Sequence, residues 1–291
     1  MTKTTVIVGS SPTELAHSIA QRLDADIVTS KIKRFPDGES KITLSGEPSG
    51  RCIVVQSTHP PVDTNTILAL SLVLQAAKQS DDVTAVIPYM GYGRQDKEFL
   101  PGELVTIQGV AKLFLLAGAK NILTVDIHSM TALDYFGGGA KNVSAIPSLA
   151  EYILTMNLER PLVVSPDQGG IDRADKFAHI LNAESFALEK RRDRETGDVK
   201  IQNSKVNVHN RNIILVDDMV STGGSIVKAA QFLISQGCAD IYVACTHALL
   251  VNDALQNIKD AGVQKVISTN TIPNSTTSVD VSATITDALQ A

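Results

Sequence analysis

The segment Arg211-Asn212-Ile213-Ile214-Leu215-Val216-Asp217-Asp218-Met219-Val220-Ser221-Thr222-Gly223-Gly224-Ser225 restricts the fold more than any other part of the chain. Its run of four apolar residues, ending in paired acids, reads as a buried parallel strand that delivers carboxylates at its C-terminal end. Small residues follow, and then Ile226-Val227-Lys228-Ala229-Ala230-Gln231-Phe232-Leu233, whose apolar spacing is helical. Strand, glycine-bearing loop and helix start together make an anion cradle. Glycines admit backbone N–H groups close to a phosphate, hydroxyls add donors, and the helix N-terminus adds partial positive charge. Carboxylates cannot bind that phosphate, so Asp217 and Asp218 should face hydroxyl groups or a metal. A phosphorylated sugar meets both demands; an ordinary strand-to-helix turn with surface acids is the plainer alternative.

The whole chain alternates short apolar runs with helical spacings, the pattern of an α/β fold with mostly parallel sheets. It does so twice. Val6-Ile7-Val8-Gly9-Ser10-Ser11-Pro12 opens one half and Leu162-Val163-Val164-Ser165-Pro166 the other. Arg51-Cys52-Ile53-Val54-Val55-Gln56-Ser57 matches Arg211-Asn212-Ile213-Ile214-Leu215-Val216-Asp217, and Asp82-Val83-Thr84-Ala85-Val86 matches Asp240-Ile241-Tyr242-Val243-Ala244. Ala117-Gly118 before the apolar run 121–125 matches Ala261-Gly262 before 265–269. Four pairs in one order indicate a tandem duplication of one domain. The domains should span residues 1–144 and 145–291, with the break between Gly137-Gly138-Gly139 and Pro147, where glycines and a proline interrupt the pattern. Residues 278–291 carry a weak helical pattern and are a candidate to pack back onto the first domain. Where the second copy has its acids and glycines, the first has Gln56-Ser57-Thr58-His59-Pro60-Pro61. One copy thus keeps the cradle, and the other must contribute something else.

Composition excludes more than it selects. The 291 residues suffice for one large or two mid-sized domains, and 43% hydrophobic with 20% charged residues is ordinary for a soluble globular protein. A net charge of −5 argues against non-specific nucleic-acid binding. Cys52, Cys238 and Cys245 lack metal or redox spacing and lie in or beside apolar runs, as buried reduced thiols of a cytoplasmic protein would. Residues 1–8 run straight into a strand, so no signal peptide is expected. The longest apolar segment, 67–77, is too short and interrupted to cross a bilayer.

Further candidates lie where loops follow strands. Lys33-Arg34-Phe35-Pro36-Asp37-Gly38-Glu39-Ser40 contains a Pro-Asp-Gly turn that flanking residues can close into a hairpin, either a plain surface turn or a recognition loop. Pro88-Tyr89-Met90-Gly91-Tyr92-Gly93-Arg94-Gln95-Asp96-Lys97 follows the strand 83–87. Its tyrosines suit stacking on a nucleotide and its cations suit polyphosphate, although a solvated basic loop would read alike. Val125-Asp126-Ile127-His128-Ser129 offers a histidine for a divalent ion or phosphate, or for a structural hydrogen bond. Ser165-Pro166-Asp167-Gln168-Gly169-Gly170-Ile171-Asp172-Arg173-Ala174 leads into a helix; its glycines suit pyrophosphate and Asp167 a divalent ion. The charged run Phe186-Ala187-Leu188-Glu189-Lys190-Arg191-Arg192-Asp193-Arg194-Glu195-Thr196-Gly197-Asp198 is either a solvated β-loop or a flap closing cations over a transferring phosphoryl group.

Taken together and in order, Phe-Pro-Asp-Gly-Glu, Arg-Gln-Asp-Lys, Ser-Pro-Asp-x-Gly-Gly-x-x-Arg-Ala and the glycine-rich loop resemble the ribose-phosphate pyrophosphokinase family, in its compact archaeal form. The resemblance covers nearly the whole chain. It implies two tandem copies of the type I phosphoribosyltransferase fold, each a parallel sheet flanked by helices. The implied reaction moves the β,γ-diphosphoryl group of ATP to the C1 hydroxyl of ribose 5-phosphate, giving AMP and 5-phosphoribosyl 1-pyrophosphate for nucleotide, histidine and tryptophan biosynthesis. By that resemblance Phe35, Asp37, Gly38 and Glu39 recognise adenine, in the family usually from a neighbouring subunit. Arg94 and Gln95 contact ATP, with Asp96 and Lys97 adjoining. His128 and Asp167 belong to the Mg²⁺ site, with Asp126 a weaker candidate. Lys190 and Arg192 are catalytic, Arg192 also on the ribose 5-phosphate side. Asp217 and Asp218 hold the ribose hydroxyls, while Ser221, Thr222, Gly223, Gly224 and Ser225 hold the 5-phosphate. Ser225 stands where threonine is common and Ser221 where aspartate is frequent. A homo-oligomer (dimer, tetramer or hexamer) is implied, without nucleic acid or membrane. Two rivals are a phosphoribosyltransferase, which would lack the duplication and the Arg94-Gln95 segment, and a non-catalytic synthetase-associated regulatory protein, in which loop residues such as Lys190 tend to be lost.

Overall fold

The computed structural model describes residues 3–192, 199–202 and 207–291, with 190–192 and 199–202 described in their backbone only. The first half contains β1 (Thr4–Val8), α1 (Thr13–Arg22), β2 (Asp26–Arg34), β3 (Ser40–Leu44), β4 (Arg51–Val55), α2 (Val62–Ala77) and β5 (Val83–Ile87). It continues through α3 (Thr106–Leu116), β6 (Asn121–Val125), α4 (Met130–Asp134) and β7 (Ala140–Val143). The second half begins with α5 (Ile146–Leu154), β8 (Pro161–Ser165), α6 (Ile171–Leu181), β9 (Glu184–Ala187), β10 (Glu189–Arg192) and β11 (Val199–Gln202). Then come β12 (Asn212–Val220), α7 (Gly224–Ser235), β13 (Ile241–Ala248), α8 (Ala254–Asp260), β14 (Val263–Thr269), β15 (Thr277–Val279) and α9 (Ser282–Gln290).

The chain divides into two compact units, one of Met1–Ser144, Asn270–Pro273 and Asp280–Ala291, the other of Ala145–Thr269 and Asn274–Val279. Among the described residues, the first unit's sheet runs β3-β2-β1-β4-β5-β6-β7 and the second's, taken from its far edge, β9-β8-β12-β13-β14-β15. Apart from the extra strand β3, the two orders correspond one to one. The strands matched by sequence, β1 with β8, β4 with β12, β5 with β13 and β6 with β14, occupy the same places, as a duplicated fold requires. Pairing is parallel throughout except for the β2–β3 hairpin and the separate antiparallel ribbon β10–β11.

Burial explains the patterns. All five residues of β5 and the last four of β4 are buried, because helices cover both faces of a parallel sheet. On one face of the first sheet Cys52, Val54, Val83, Ala85 and Ile87 pack with Leu72, Val73, Ile107 and Phe114. The second sheet repeats this with Ile213, Leu215, Ile241 and Val243 against Ile226, Ala230 and Leu233. Cys52 and Cys245 are buried thiols, whereas Cys238 is half-buried.

The last helix belongs to the first unit. Arg22 Nε donates to Ser282 Oγ at 2.9 Å, Arg51 Nη2 to the Leu289 carbonyl at 2.8 Å and Lys141 Nζ to the Ala288 carbonyl at 3.3 Å. Two cations thus meet the unpaired carbonyls at the α9 C-terminus, where the helix dipole is negative. Ile285 on the same helix is wholly buried. Ile285→Ala should therefore cost about 2–5 kcal/mol in urea unfolding; an unchanged midpoint would show that α9 adds nothing to the unit's stability.

Candidate functional site

In the second unit the chemistry gathers at the C-terminal edge of the sheet, where neighbouring strands β8 and β12 end. β12 does not stop at its acids as expected. It continues through Met219 and Val220, which pair with His247 and Ala248 of β13, because these two residues are apolar enough to stay between the helices. Asp217 and Asp218 therefore stand inside the strand. Both reach Arg173 on α6: its Nη1 lies 3.4 Å from Asp217 Oδ1 and its Nη2 3.4 Å from Asp218 Oδ1. Asp218 N–H also donates to Asp217 Oδ1 at 2.9 Å.

Two adjacent carboxylates in a half-closed site repel one another. Burial, then hydrogen bonding from Asp218 and its charge, push Asp217 up to about 8, while Arg173 pulls it down. Asp217 keeps 26% of its side chain exposed, so solvent moderates the effect. Cys245, opposite Asp217 in β13, is held as a thiol by burial and by both carboxylates.

The loop after β12 is braced from below. Leu250 and Val251 N–H groups donate to the carbonyls of Val220 and Ser221, each at 3.0 Å. Gly223 takes φ +75°, and a Cβ there would sit 2.9 Å from Ile258 Cδ1, so glycine is required twice over. It caps α7, with Gly224 and Ser225 in the first turn, and Thr222, Gly224 and Ser225 are solvent-exposed. Asp167 lies in the loop after β8, half-buried, before one 3₁₀ turn (Gln168–Gly170) that leads into α6. Buried Ser165 fixes this loop by donating to the Asp167 carbonyl at 2.7 Å. Gly170 packs so closely that a Cβ would lie 2.4 Å from Ser165 Oγ.

The first unit fills the equivalent place with its own side chains. Gln56, Ser57 and Thr58 are buried, and Gln56 Oε1 accepts from Ser10 N–H at 2.7 Å and Ser10 Oγ at 3.0 Å. Its functional candidates stand elsewhere. Residues 35–39 close the β2–β3 hairpin: Phe35 N–H donates to the Glu39 carbonyl at 2.8 Å, Glu39 N–H to Asp37 Oδ1 at 3.1 Å, and Gly38 turns at φ +94°. Phe35 is 39% exposed beneath Lys33 Nζ, 5.5 Å from its ring. The loop after β5 presents Arg94, Gln95 and Lys97 to solvent, with Asp96 half-buried. Tyr89 in the same loop is only 8% exposed, so the stacking expected of it is closed off by the core. The loop after β6 carries Asp126, at φ +39°, and exposed His128. These two loops meet, since a Cβ on Gly93 would lie 3.4 Å from His128 Cβ.

Asp167 thus joins Asp217, Asp218 and the 221–225 loop in the second unit, and Arg94 joins His128 in the first. Lys190 and Arg192 stand in β10, in register with Ile201 and Val199, and their side chains lie outside the described residues, as does 193–198 of the charged run. Arg173 was missed as a site residue. Its place in the Ser-Pro-Asp motif, two residues into the helix after paired glycines, was the available signal.

Known proteins share this organisation. A family model described as the N-terminal domain of ribose phosphate pyrophosphokinase matches residues 4–118, and one described as the phosphoribosyl synthetase-associated domain matches 194–290. The chain is 38% identical over 289 residues to a ribose-phosphate pyrophosphokinase of Methanopyrus kandleri, covering 98% of each chain. Against that of Methanothermobacter thermautotrophicus it is 37% identical, covering 98% of this chain and 100% of the relative. A crystal structure of phosphoribosylpyrophosphate synthetase from Mycobacterium smegmatis matches with a TM-score of 0.88 at 26% identity, over 99% of this chain and 98% of that one.

The acid pair makes a prediction. An unfolded aspartate titrates near 3.9 or so, and the folded Asp217 near the raised value of about 8. Between those limits the folded state holds a proton that the unfolded chain lacks, so this group's contribution to stability falls as pH rises from about 4 to about 8. Asp217→Asn should flatten that part of the curve of urea midpoint against pH. A variant retaining the full wild-type slope would place the proton elsewhere.

Proposed function

The chain belongs to the ribose-phosphate pyrophosphokinase family, and from that premise we propose how its residues divide the reaction. The enzyme transfers the β,γ-diphosphoryl group of ATP to the C1 hydroxyl of ribose 5-phosphate, releasing AMP and forming 5-phosphoribosyl 1-pyrophosphate. The observation that carries the sugar side is the Arg173-clamped acid pair beside a glycine-capped helix start. Asp217 and Asp218 accept hydrogen bonds from ribose hydroxyls, and Arg173 keeps them apart and in place. Backbone N–H groups of Gly223, Gly224 and Ser225, with the hydroxyls of Ser221, Thr222 and Ser225, surround the 5-phosphate at the α7 N-terminus.

On the nucleotide side Arg94 and Gln95, with Asp96 and Lys97 adjoining, hold the ATP phosphates and sugar. Phe35, Asp37, Gly38 and Glu39 recognise adenine by ring contact and backbone hydrogen bonds, in a homo-oligomer from a neighbouring copy. Lys190 and Arg192 stabilise the charge that grows on the β-phosphoryl oxygens and the departing AMP.

The family is ATP- and metal-dependent, and Mg²⁺ is our choice of ion. Mg²⁺ binds through one or two carboxylates plus phosphate oxygens; the half-buried carboxylate of Asp167, in the loop after β8, is an oxygen donor of that kind and fits the ion. Bound there, the ion would neutralise polyphosphate charge and polarise the β-phosphorus. Among the described residues no helix is long and apolar enough to cross a membrane; with free thiols and a metabolic reaction, we place the enzyme in the cytoplasm. Lys190, Arg192, His128 and Asp167 are all present, which disfavours a silent regulatory relative.

Phosphorus NMR of the protein with MgATP and ribose 5-phosphate should show AMP together with a C1-linked pyrophosphate. ADP in place of AMP would mean an ordinary γ-phosphoryl kinase. Lys190→Ala should lower kcat about a thousandfold with little change in ATP affinity, and equal losses in both would remove Lys190 from the chemical step.

A further inference from the structure

The loop that carries Arg94 and Gln95 is held in an unusual shape by a contact outside it. Tyr92 has φ +62°, a left-handed conformation that bulky L-residues rarely adopt, and it lies between two glycines. Gly91 is fixed by packing: its N–H donates to Thr58 Oγ1 at 2.7 Å, and a Cβ would stand 2.7 Å from Val62 Cγ1 and 2.9 Å from the Thr58 carbonyl. Gln95 N–H donates to the Tyr92 carbonyl at 2.8 Å, so the turn that presents Arg94 and Gln95 starts from Tyr92 itself. What holds Tyr92 is its phenol, which donates to Asp63 Oδ1 in the first turn of α2. The hydrogen bond to Asp63 is also the main reason the phenol's pKa is raised, ahead of burial.

Asp63 is well chosen as an anchor. α2 buries Asn65, Thr66, Leu68, Ala69, Leu72, Val73 and Ala76, so its first turn is seated on the core. A carboxylate there is also favoured by the helix dipole. A hydrogen bond from a neutral phenol to a charged acceptor is stronger than one between neutral partners.

We propose that Asp63 is a positioning residue for the nucleotide: through Tyr92 it holds the Tyr92–Gln95 turn in the left-handed shape that aims Arg94 and Gln95 at ATP. This rests on the assignment of Arg94 and Gln95 to ATP above. Without the anchor, Tyr92 relaxes toward ordinary backbone angles, the turn loosens, and ATP must reorder it on binding.

The test compares wild type with Tyr92→Phe, Asp63→Ala, Asp63→Asn and the double variant Tyr92→Phe/Asp63→Ala. Tyr92→Phe keeps the ring but loses the donor; Asp63→Asn keeps an acceptor oxygen. MgATP affinity is measured by calorimetry, and AMP release gives KM and kcat for both substrates. The expected result is a roughly tenfold weaker Kd and KM for ATP in Tyr92→Phe and Asp63→Ala. The ribose 5-phosphate KM and the kcat should stay within about twofold, the scatter expected of uncoupled sites. Asp63→Asn should recover most of the loss, and the double variant should be no worse than either single one. Unchanged ATP affinity in the single variants, or losses that add in the double, would overturn the proposal. Equal loss in Asp63→Asn and Asp63→Ala would overturn it too, as would a fall in kcat and ribose 5-phosphate affinity of the same size. Wild type that binds ATP but releases no AMP would refute the functional reading, and the calorimetric comparison would still decide the role of the pair.

Discussion

Parallel pairing is the constraint on which the rest depends. Parallel neighbours point every C-terminal end to one edge of the sheet, and the connections there carry no burden of tight hairpin geometry. In the second unit β8 and β12 are adjacent, which brings the loops bearing Asp167 and 221–225 together although they are far apart in sequence. In the first unit β5 and β6 are adjacent, and the loops bearing Arg94 and His128 meet for the same reason. Register then sets which side chains share a face, since each strand is locked to its neighbours by consecutive backbone pairs.

Within that frame the two copies have taken opposite courses at one position. After β12 the chain leaves space: small residues, a left-handed glycine and two acids restrained by a cation. After β4 the corresponding residues turn inward, with Gln56 bonded to the Ser10 backbone and hydroxyl and Thr58 tied to the next loop. A cradle is thereby converted into a buttress. The same Thr58 accepts the Gly91 N–H, so the residues standing where the second copy has its cradle brace the loop that carries Arg94 and Gln95.

Charge follows the same logic. The acids are tolerable inside a strand only because Arg173 reaches both, and even so Asp217 retains a raised affinity for its proton. A ribose that offers hydroxyl donors relieves the repulsion without adding charge, whereas a second anion at that point would worsen it. In the function proposed above, the phosphate lies one turn further on, at the helix start.

The sequence by itself determined the fold class, the duplication, the paired acids, the glycine loop and the two loops after β5 and β6. These are local facts, written in apolar runs and in residues whose backbone or charge has few uses. Tertiary structure decided what depends on partners distant in the chain. Arg173 meets Asp217 44 positions away, Tyr92 meets Asp63 29 positions away, and neither distance leaves a mark in local pattern. Tyr89 looked available for stacking until the core closed over it. Met219 and Val220 extended β12 past its acids because β13 supplied partners. The last helix carries only a weak hydrophobic stripe, since Ser282 and Thr286 are buried beside Ile285 and Leu289. Its place in the first unit is set by Arg22, Arg51 and Lys141, whose hydrogen bonds to it exist only once the chain has returned across more than half its length.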